Sequence, residues 1–349
     1  MYVTRIAYGL GVLFLYSQTV FADDANEPLE MTQPPAMQAY SDFPLPVTPS
    51  SYNNIHNVQL APVPAQSESS ELSKKRSAIE SPSPIANAER YSVHTAFEDV
   101  KTLKWEGLGT FAGITALGVK SWDWGGSSFH FNNERWFGKT TGSGGADKLG
   151  HAFTSYAMTN AFAERLQAKG RSPERAALSA SLLTSALMLY VEAFDGMSGD
   201  HGFSYEDVVM NSLGVGFAYL RQTNPRLKSL VDFRMEYKPS GYKGFRPLSD
   251  YEGQKYLLAL KFSGFKSLKQ TPLRYFELQA GYYARGFSRE ARNDGQFRRQ
   301  QGFVGVGVNL TQLFFGYPSE QDRSYDKAGR FMFEHIQIPY TAAYADKKL

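Results

Sequence analysis

The sequence predicts an α+β protein: an apolar bundle of about four helices, followed by an antiparallel β-meander of four to six strands that look like outer-membrane strands. Three observations predict it. Between about residues 91 and 225 the apolar residues are dense and recur at helical spacing. From about 230 the period changes to two, as in Val231-Asp232-Phe233-Arg234-Met235-Glu236-Tyr237-Lys238, where apolar and charged residues alternate strictly. Ahead of both, residues 23–90 carry ten of the 17 prolines, which break every candidate element there.

Composition narrows the function. The chain has 349 residues with 37 basic and 34 acidic side chains, a net charge of +3 that is too small to imply a nucleic-acid partner. The absence of Cys excludes disulfides, iron–sulfur clusters, Cys–zinc sites, thiol nucleophiles and a lipidated Cys. Residues 1–22 read as an export signal: Arg5 opens it, Ile6–Tyr16 is its apolar stretch, and Val20-Phe21-Ala22 is the cleavage site. Residues 23–90 are expected to form a disordered Pro/Ser-rich arm, because such composition buries too little apolar surface to offset ordering entropy. The arm is either a solvated linker or a tether to peptidoglycan or an envelope protein, through patches at Tyr40–Phe43 and Tyr52–Leu60.

Residues 91–225 form the expected helical part. Helices are predicted over 103–120, 149–168, 174–194 and 205–220. Ser172 and Ser204 stand as N-caps, with Pro173 at a first turn. Gly107, Gly109, Gly113, Gly118, Gly214 and Gly216 offer close helix approach. Such helices suit either a buried bundle or contact with a bilayer. The loop 121–146 gathers Trp122, Trp124, Trp136, Phe129, Phe131 and Phe137, a composition found at membrane–water interfaces and in packed loops alike.

Residues 226–349 form the expected β part. Strands are predicted at 231–238, 254–263, 274–286, 302–315 and about 332–344. Their length, their terminal Tyr and Phe, and small or polar residues opposite an aliphatic face are outer-membrane features. The smallest such barrel has eight strands, more than this segment supplies. The sheet is therefore expected either to pack on the helices or to pair between subunits of a homo-oligomer.

The polar residues at the helix ends carry the chemistry. Asp147, Lys148 and His151 form Asp-Lys-x-x-His, with Asp147 and His151 on one helical face. Glu192 and Asp195 close the third helix, and Asp207 and Asn211 sit four apart on the fourth. Charges beside apolar helices are costly unless paired or used, so these groups should converge. One reading is a divalent metal (zinc, iron or manganese) held by Asp147, His151, Glu192 and Asp207. Another is catalysis by His151, Glu192 and Asp207, with His151 as base acting on an ester or phosphoester. The third is a structural network that pins helix ends, joined by Lys148, Asp195 and Asn211. No serine stands in a nucleophile elbow. His56, His94, His130, His201 and His335 are expected on loops or the surface, with His201, next to Gly202-Phe203-Ser204, the first candidate for an exception. Arg285, Arg289 and Arg292, with Arg298 and Arg299 behind them, could contact the phosphates of membrane lipid or lipopolysaccharide.

Asp147-Lys148-x-x-His151, Glu192-Ala193-Phe194-Asp195-Gly196 and Phe203-Ser204-x-x-Asp207-x-x-x-Asn211-x-x-Gly214, in this order, resemble the DUF2279 family of predicted periplasmic lipoproteins, over roughly residues 145–290. More loosely they resemble the VanZ-like membrane proteins. The resemblance implies an envelope setting and marks His151, Glu192, Asp207 and Asn211 without implying a reaction. The chain departs from a lipoprotein in having no Cys to acylate. The resulting expectation is an exported, non-enzymatic component of the outer envelope, at the outer membrane or its periplasmic face. It would be embedded in or attached to the membrane there, in one version as a subunit of a cell-surface assembly; the alternative expectation is a lipid- or glycan-modifying hydrolase using the His/carboxylate site.

Overall fold

A computed structural model of the chain describes residues 93–349. The expected signal segment and Pro/Ser-rich arm lie outside the described residues. The fold is α+β, with nine α-helices and one six-stranded mixed sheet among the described residues.

The helices are α1 (Val93–Thr102), α2 (Lys104–Ser121), α3 (Ala146–Ala168), α4 (Pro173–Asp195), α5 (Tyr205–Thr223) and the short α6 (Pro225–Leu230). Local chemistry sets their ends. The Ser172 hydroxyl accepts from Arg175 N, with Pro173 in the first turn of α4. Ser204 caps α5 by accepting from Asp207 N at 3.2 Å. Asn224 caps α6 from Leu227 N at 3.1 Å, with Pro225 next to it. Gly145 enters α3 at φ +88, a left-handed conformation in which a Cβ would also strike the Phe137 ring.

α3 is the central helix. One side packs Phe162 and Leu166 on Ala176, Ala180 and Leu187 of α4 and on Leu103. The other packs Phe153, Tyr156 and Ala157 on Ala218 of α5 and on the sheet residues Met235 and Tyr256. α1 is tied to α4 by Asp99, fully buried, which takes Arg175 at 2.5 Å and Arg171 at 2.6 Å. α4 is the one described helix long and apolar enough to cross a membrane, and half of that stretch is buried in the fold.

The glycines divide sharply. A Cβ on Gly214 of α5 would lie 2.0 Å from the Ala152 carbonyl oxygen of α3, so these two backbones touch. Gly118 makes room for the Trp124 indole. Gly109, Gly113 and Gly216 face nothing within 4 Å, so close packing does not explain them.

The strands are β1 (Val231–Tyr237), β2 (Gln254–Lys261), β3 (Phe276–Arg285), β4 (Arg299–Val308), β5 (Ile336–Gln337) and β6 (Ala342–Lys348), in the spatial order β5-β1-β2-β3-β4-β6. β1 to β4 form an antiparallel meander and β6 continues it, but β5 runs parallel to β1. The sheet is thus mixed rather than purely antiparallel, and it is not a barrel. It nonetheless curls. β5 and β6 occupy opposite edges yet are joined by residues 338–341, and Tyr344 of β6 donates to Glu236 of β1 at 3.2 Å.

Two predicted strands need correction. β4 stops at Val308, because the Asn309 side chain accepts from Gln312 N and starts α8 (Leu310–Phe315). α7 (Arg289–Asn293) lies in the connection before β4. The strand expected at 332–344 begins instead inside α9 (Ser324–His335). Phe331 and Phe333 alternate as in a strand, but buried Ala328, Phe331 and His335 are spaced three and four apart. The helix stacks Phe331 on His335 with ring centres 4.1 Å apart and brings His335 to Tyr156. His335 is therefore a core residue, not a surface one. Burial draws its pKa down to about 4.

The close contact of α3 and α5 makes a stability prediction. Gly214→Ala should lower stability by about 1–3 kcal/mol or more, since the Ala152 backbone has no room to yield. Gly216→Ala should be neutral or stabilising by up to about 1 kcal/mol from helix propensity. Denaturant midpoints of the two variants check this, and equal effects would remove the close approach as its cause.

Candidate functional site

The first turn of α3, the last turn of α4 and the first two turns of α5 meet at one place. Lys148 lies at its centre, 1% exposed. Its ammonium reaches Glu134 from the aromatic loop, Asp147 at 3.0 Å and Asp207 at 2.9 Å. Burial alone would favour the neutral amine, but these three carboxylates outweigh it and raise the pKa above the ordinary lysine value.

His151 sits one turn further along α3, between two acids. Its Nδ1 lies 3.2 Å from Glu192 Oε1, out of hydrogen-bond alignment, and its Nε2 lies 3.8 Å from Asp207 Oδ1. Burial opposes the imidazolium, yet Asp207, Glu192 and Asp147 together hold its pKa up at about 10. Behind it a relay fixes Glu192: Ser155 donates to Asn211 Oδ1 at 2.9 Å, and Asn211 Nδ2 donates to Glu192 Oε1 at 2.9 Å. On the outer side Ser143 donates to Asp147.

The structure therefore brings Asp147, Lys148, His151, Glu192, Asp207 and Asn211 together. Asp195 stands beside the cluster rather than in it, taking the Trp124 indole N–H at 2.6 Å. Glu134, Ser143 and Ser155 belong to the site although no sequence pattern marks them. Glu134 is one acid in an irregular loop, and the two serines have no periodic signature. His201 lies exposed, its carbonyl accepting from Asn132.

The Arg-rich segment is split. Arg285 lines a cavity at the end of the sheet. Arg289 is exposed at the start of α7, and Arg292 turns back to donate to the Phe287 carbonyl. Arg298 donates to the Lys139 carbonyl.

Carboxylates outnumber cations at the α3–α5 site: Glu134, Asp147, Glu192 and Asp207 face Lys148 and His151. The acids respond differently: burial opposes the charge of Asp147 too, but Lys148 and the Ser143 hydrogen bond hold it below its ordinary value. Burial and then Asp207 push Glu134 up to about 7, and burial raises Glu192 and Asp195. One ligand atom each from His151, Glu192 and Asp207 lies within 4.8 Å of the others, and so do atoms of Glu134, Asp147 and Asp207. The first set, one imidazole and two carboxylates, could hold zinc, iron or manganese. Metal binding there would require His151 to give up its proton. With the proton in place, His151 is an ion-pair partner and not a base at neutral pH.

These shifts give stability a pH dependence. His151 is raised above its unfolded value, so its contribution is complete below about pH 6.5 and lost as pH rises through about 10. Glu134 is raised too, so its ionisation costs stability as pH rises from about 4.5 to about 7. Stability in the presence of a chelator should fall from pH 5 to pH 10. Denaturant midpoints at pH 5, 7 and 9 should show His151→Gln flattening the upper half of that fall, and an unchanged slope would contradict the assignment.

Comparison with curated proteins and with solved structures gives no match. Residues 133–223 match the model of the DUF2279 family, described as a predicted periplasmic lipoprotein. The match begins just before Glu134 and ends with α5, short of the strands that the resemblance read from the motifs was expected to reach. It covers a minority of the chain but includes Glu134, Asp147, Lys148, His151, Glu192, Asp195, Asp207 and Asn211, so the segment that builds the polar site is the segment similar to this periplasmic family.

Proposed function

We propose that the protein is an exported component of the bacterial envelope that sits in or on a membrane through its folded part and acts by binding rather than by chemistry. The similarity of residues 133–223 to a predicted periplasmic lipoprotein family supports the envelope setting. The observation that carries the membrane seat is the polarity of the curled sheet. Its inner side buries charge beside an apolar patch of Leu257, Ala259, Tyr283 and Phe303: Arg234 holds Glu277 at 2.6 Å and Asp232 at 2.6 Å, and Lys261 and Arg221 also reach Asp232. Its outer side, beyond the part covered by α3, presents Phe276, Leu278, Leu258, Val304 and Val306 in adjacent register. Val304 is 61% exposed. A sheet made for water places these groups the other way round, whereas apolar outside and polar inside is the pattern of strands in lipid. α4 and α5 add exposed Leu182, Leu189, Val209, Leu213 and Leu220. Exposed apolar residues in adjacent register, as on the sheet, mark an interaction site.

A binding role is supported by the α3–α5 site, where Ser143 and Ser155 already donate to Asp147 and Asn211 and His151 is held protonated. The test is partition. Val304→Glu, at an exposed position, should change folding stability by no more than about 0.5 kcal/mol. It should also shift the protein from the membrane fraction toward the soluble fraction. Wild-type protein recovered wholly in the soluble periplasm after osmotic release would sink the reading.

A second reading is favoured by the acid excess at the α3–α5 site. A divalent metal on His151, Glu192 and Asp207 would balance that charge and could activate water against a lipid or glycan ester. Elemental analysis of the purified chain decides it. The reading expects about one bound metal per chain, a melting temperature that drops with chelator, and loss of both in His151→Ala. Metal-free protein whose stability ignores added zinc and manganese would end it.

A further inference from the structure

A second polar site lies apart from the α3–α5 cluster, at the end of the sheet where β1 and β3 finish and β2 and β4 begin. It is a cavity of about 370 Å³. That volume falls in the range of small-ligand pockets, roughly 300–1,000 Å³. Four cations line it, Lys238, Lys255, Arg285 and Arg299, against two carboxylates, Glu236 and Glu252.

Both carboxylates are already engaged. Glu252 accepts from the backbone N–H groups of Gly286, Phe287 and Ser288 at 2.8, 2.6 and 2.7 Å. Glu236 holds Lys255 at 3.1 Å and accepts from the Tyr344 hydroxyl. The other three cations have no carboxylate within ion-pair distance among the described residues. Arg285 donates only to the carbonyls of Gln254 and Ala284, at 2.9 and 2.7 Å, and stacks over Tyr283 at 4.7 Å. Arg299 reaches the Gln296 side-chain oxygen at 3.4 Å, and Lys238 the Tyr340 hydroxyl at 2.7 Å.

A half-buried guanidinium without a counter-charge is expensive. Burial correspondingly draws the Arg285 pKa below the ordinary arginine value, and nearby Glu252 only partly offsets this. An anion from outside would supply what the fold does not. Arg pairs with phosphate through two parallel hydrogen bonds, which favours phosphate over a monodentate anion. The rim favours a lipid source. Tyr340 is 85% exposed and Phe297, next to the lining residue Gln296, is 84% exposed. Exposed aromatic side chains beside a cationic pocket, Tyr340 held there by Lys238, are the arrangement of a membrane–water interface.

We infer that this cavity, built by Lys238, Arg285 and Arg299, binds the phosphate of an anionic lipid headgroup. The inference rests on the proposed membrane seat and adds to it the ligand that orients the protein there. Glu236 and Lys255 form the neutral floor, and the backbone-bound Glu252 fixes the turn that carries Arg285 into place.

The experiment uses the full chain. Binding is measured by flotation with vesicles of phosphatidylcholine alone and of phosphatidylcholine containing phosphatidylglycerol. Melting in detergent with and without inorganic phosphate forms the second arm. The expected result is a preference for the anionic vesicles. Lys238→Gln and Arg299→Gln, both at exposed positions, should each reduce that preference about fivefold. Arg226→Gln, a surface charge that does not line the cavity, should keep it. Equal binding of the wild type to both vesicles overturns the headgroup site while leaving the membrane seat standing. An equal loss in Arg226→Gln assigns the preference to overall charge and overturns it as well. Stabilisation by inorganic phosphate without a vesicle preference makes the ligand a free phosphate compound and overturns the lipid assignment. Failure to bind either vesicle removes the membrane seat, and the headgroup assignment falls with it.

Discussion

The contact on which the rest depends is the meeting of two backbones, Gly214 of α5 against the Ala152 carbonyl of α3. At that spacing, side chains on the two helices pair as they advance together: Lys148 with Asp207, Ser155 with Asn211, Asn160 with Gln222. These are short polar contacts between helices that are otherwise apolar, and they form only if the backbones approach closely. A larger residue at position 214 would hold α5 away and leave buried polar groups without partners. The cost of such groups, about 1–3 kcal/mol each, makes the close approach and the polar ladder mutually reinforcing.

The ladder ends in a place that cannot balance its own charge. Lys148 and His151 are set against more carboxylates than they neutralise; burial raises Glu134 and Glu192, while Lys148 and Ser143 hold Asp147 below its ordinary value against its burial. Other buried acids are met by two or more cations. Asp99 takes two arginines, and Asp232 takes Arg221, Arg234 and Lys261, which hold its carboxyl far below the usual range. Against that background a buried cluster with acids in excess is a feature of the α3–α5 site. The cavity at the end of the sheet is its opposite in sign, with cations in excess.

The sheet connects the two sites. β1 and β2 lean on α3 through Phe153, Tyr156, Phe233, Met235 and Tyr256, so the position of α3 that builds one site also sets the sheet that builds the other. Curling places Asp232, Arg234, Glu277 and Gln279 inside, where Arg234 pairs with both acids and the Gln279 amide N–H donates to Glu277. The same curl turns the aliphatic rows outward.

The sequence by itself determined the α+β order, because helical and strand periodicities are local and survive without partners. It also marked Asp147, Lys148, His151, Glu192, Asp207 and Asn211, since polar residues at the ends of apolar helices have few places to go. Three things only the tertiary structure decided. Alternation in β1 showed two faces but not which one faces inward, as that depends on curl and on what covers each side. The stretch from Ser324 to His335 carries both a strand-like and a helical pattern, and it became α9 because Phe331 stacks on His335 and His335 meets Tyr156 on α3. Glu134 has no informative neighbours in the chain, and the Arg-rich run that marks Arg285 does not say which of its members share a cavity. One reaches Lys148 from a loop and the other lies on a strand end, and their roles exist only where distant segments bring uncompensated charge together.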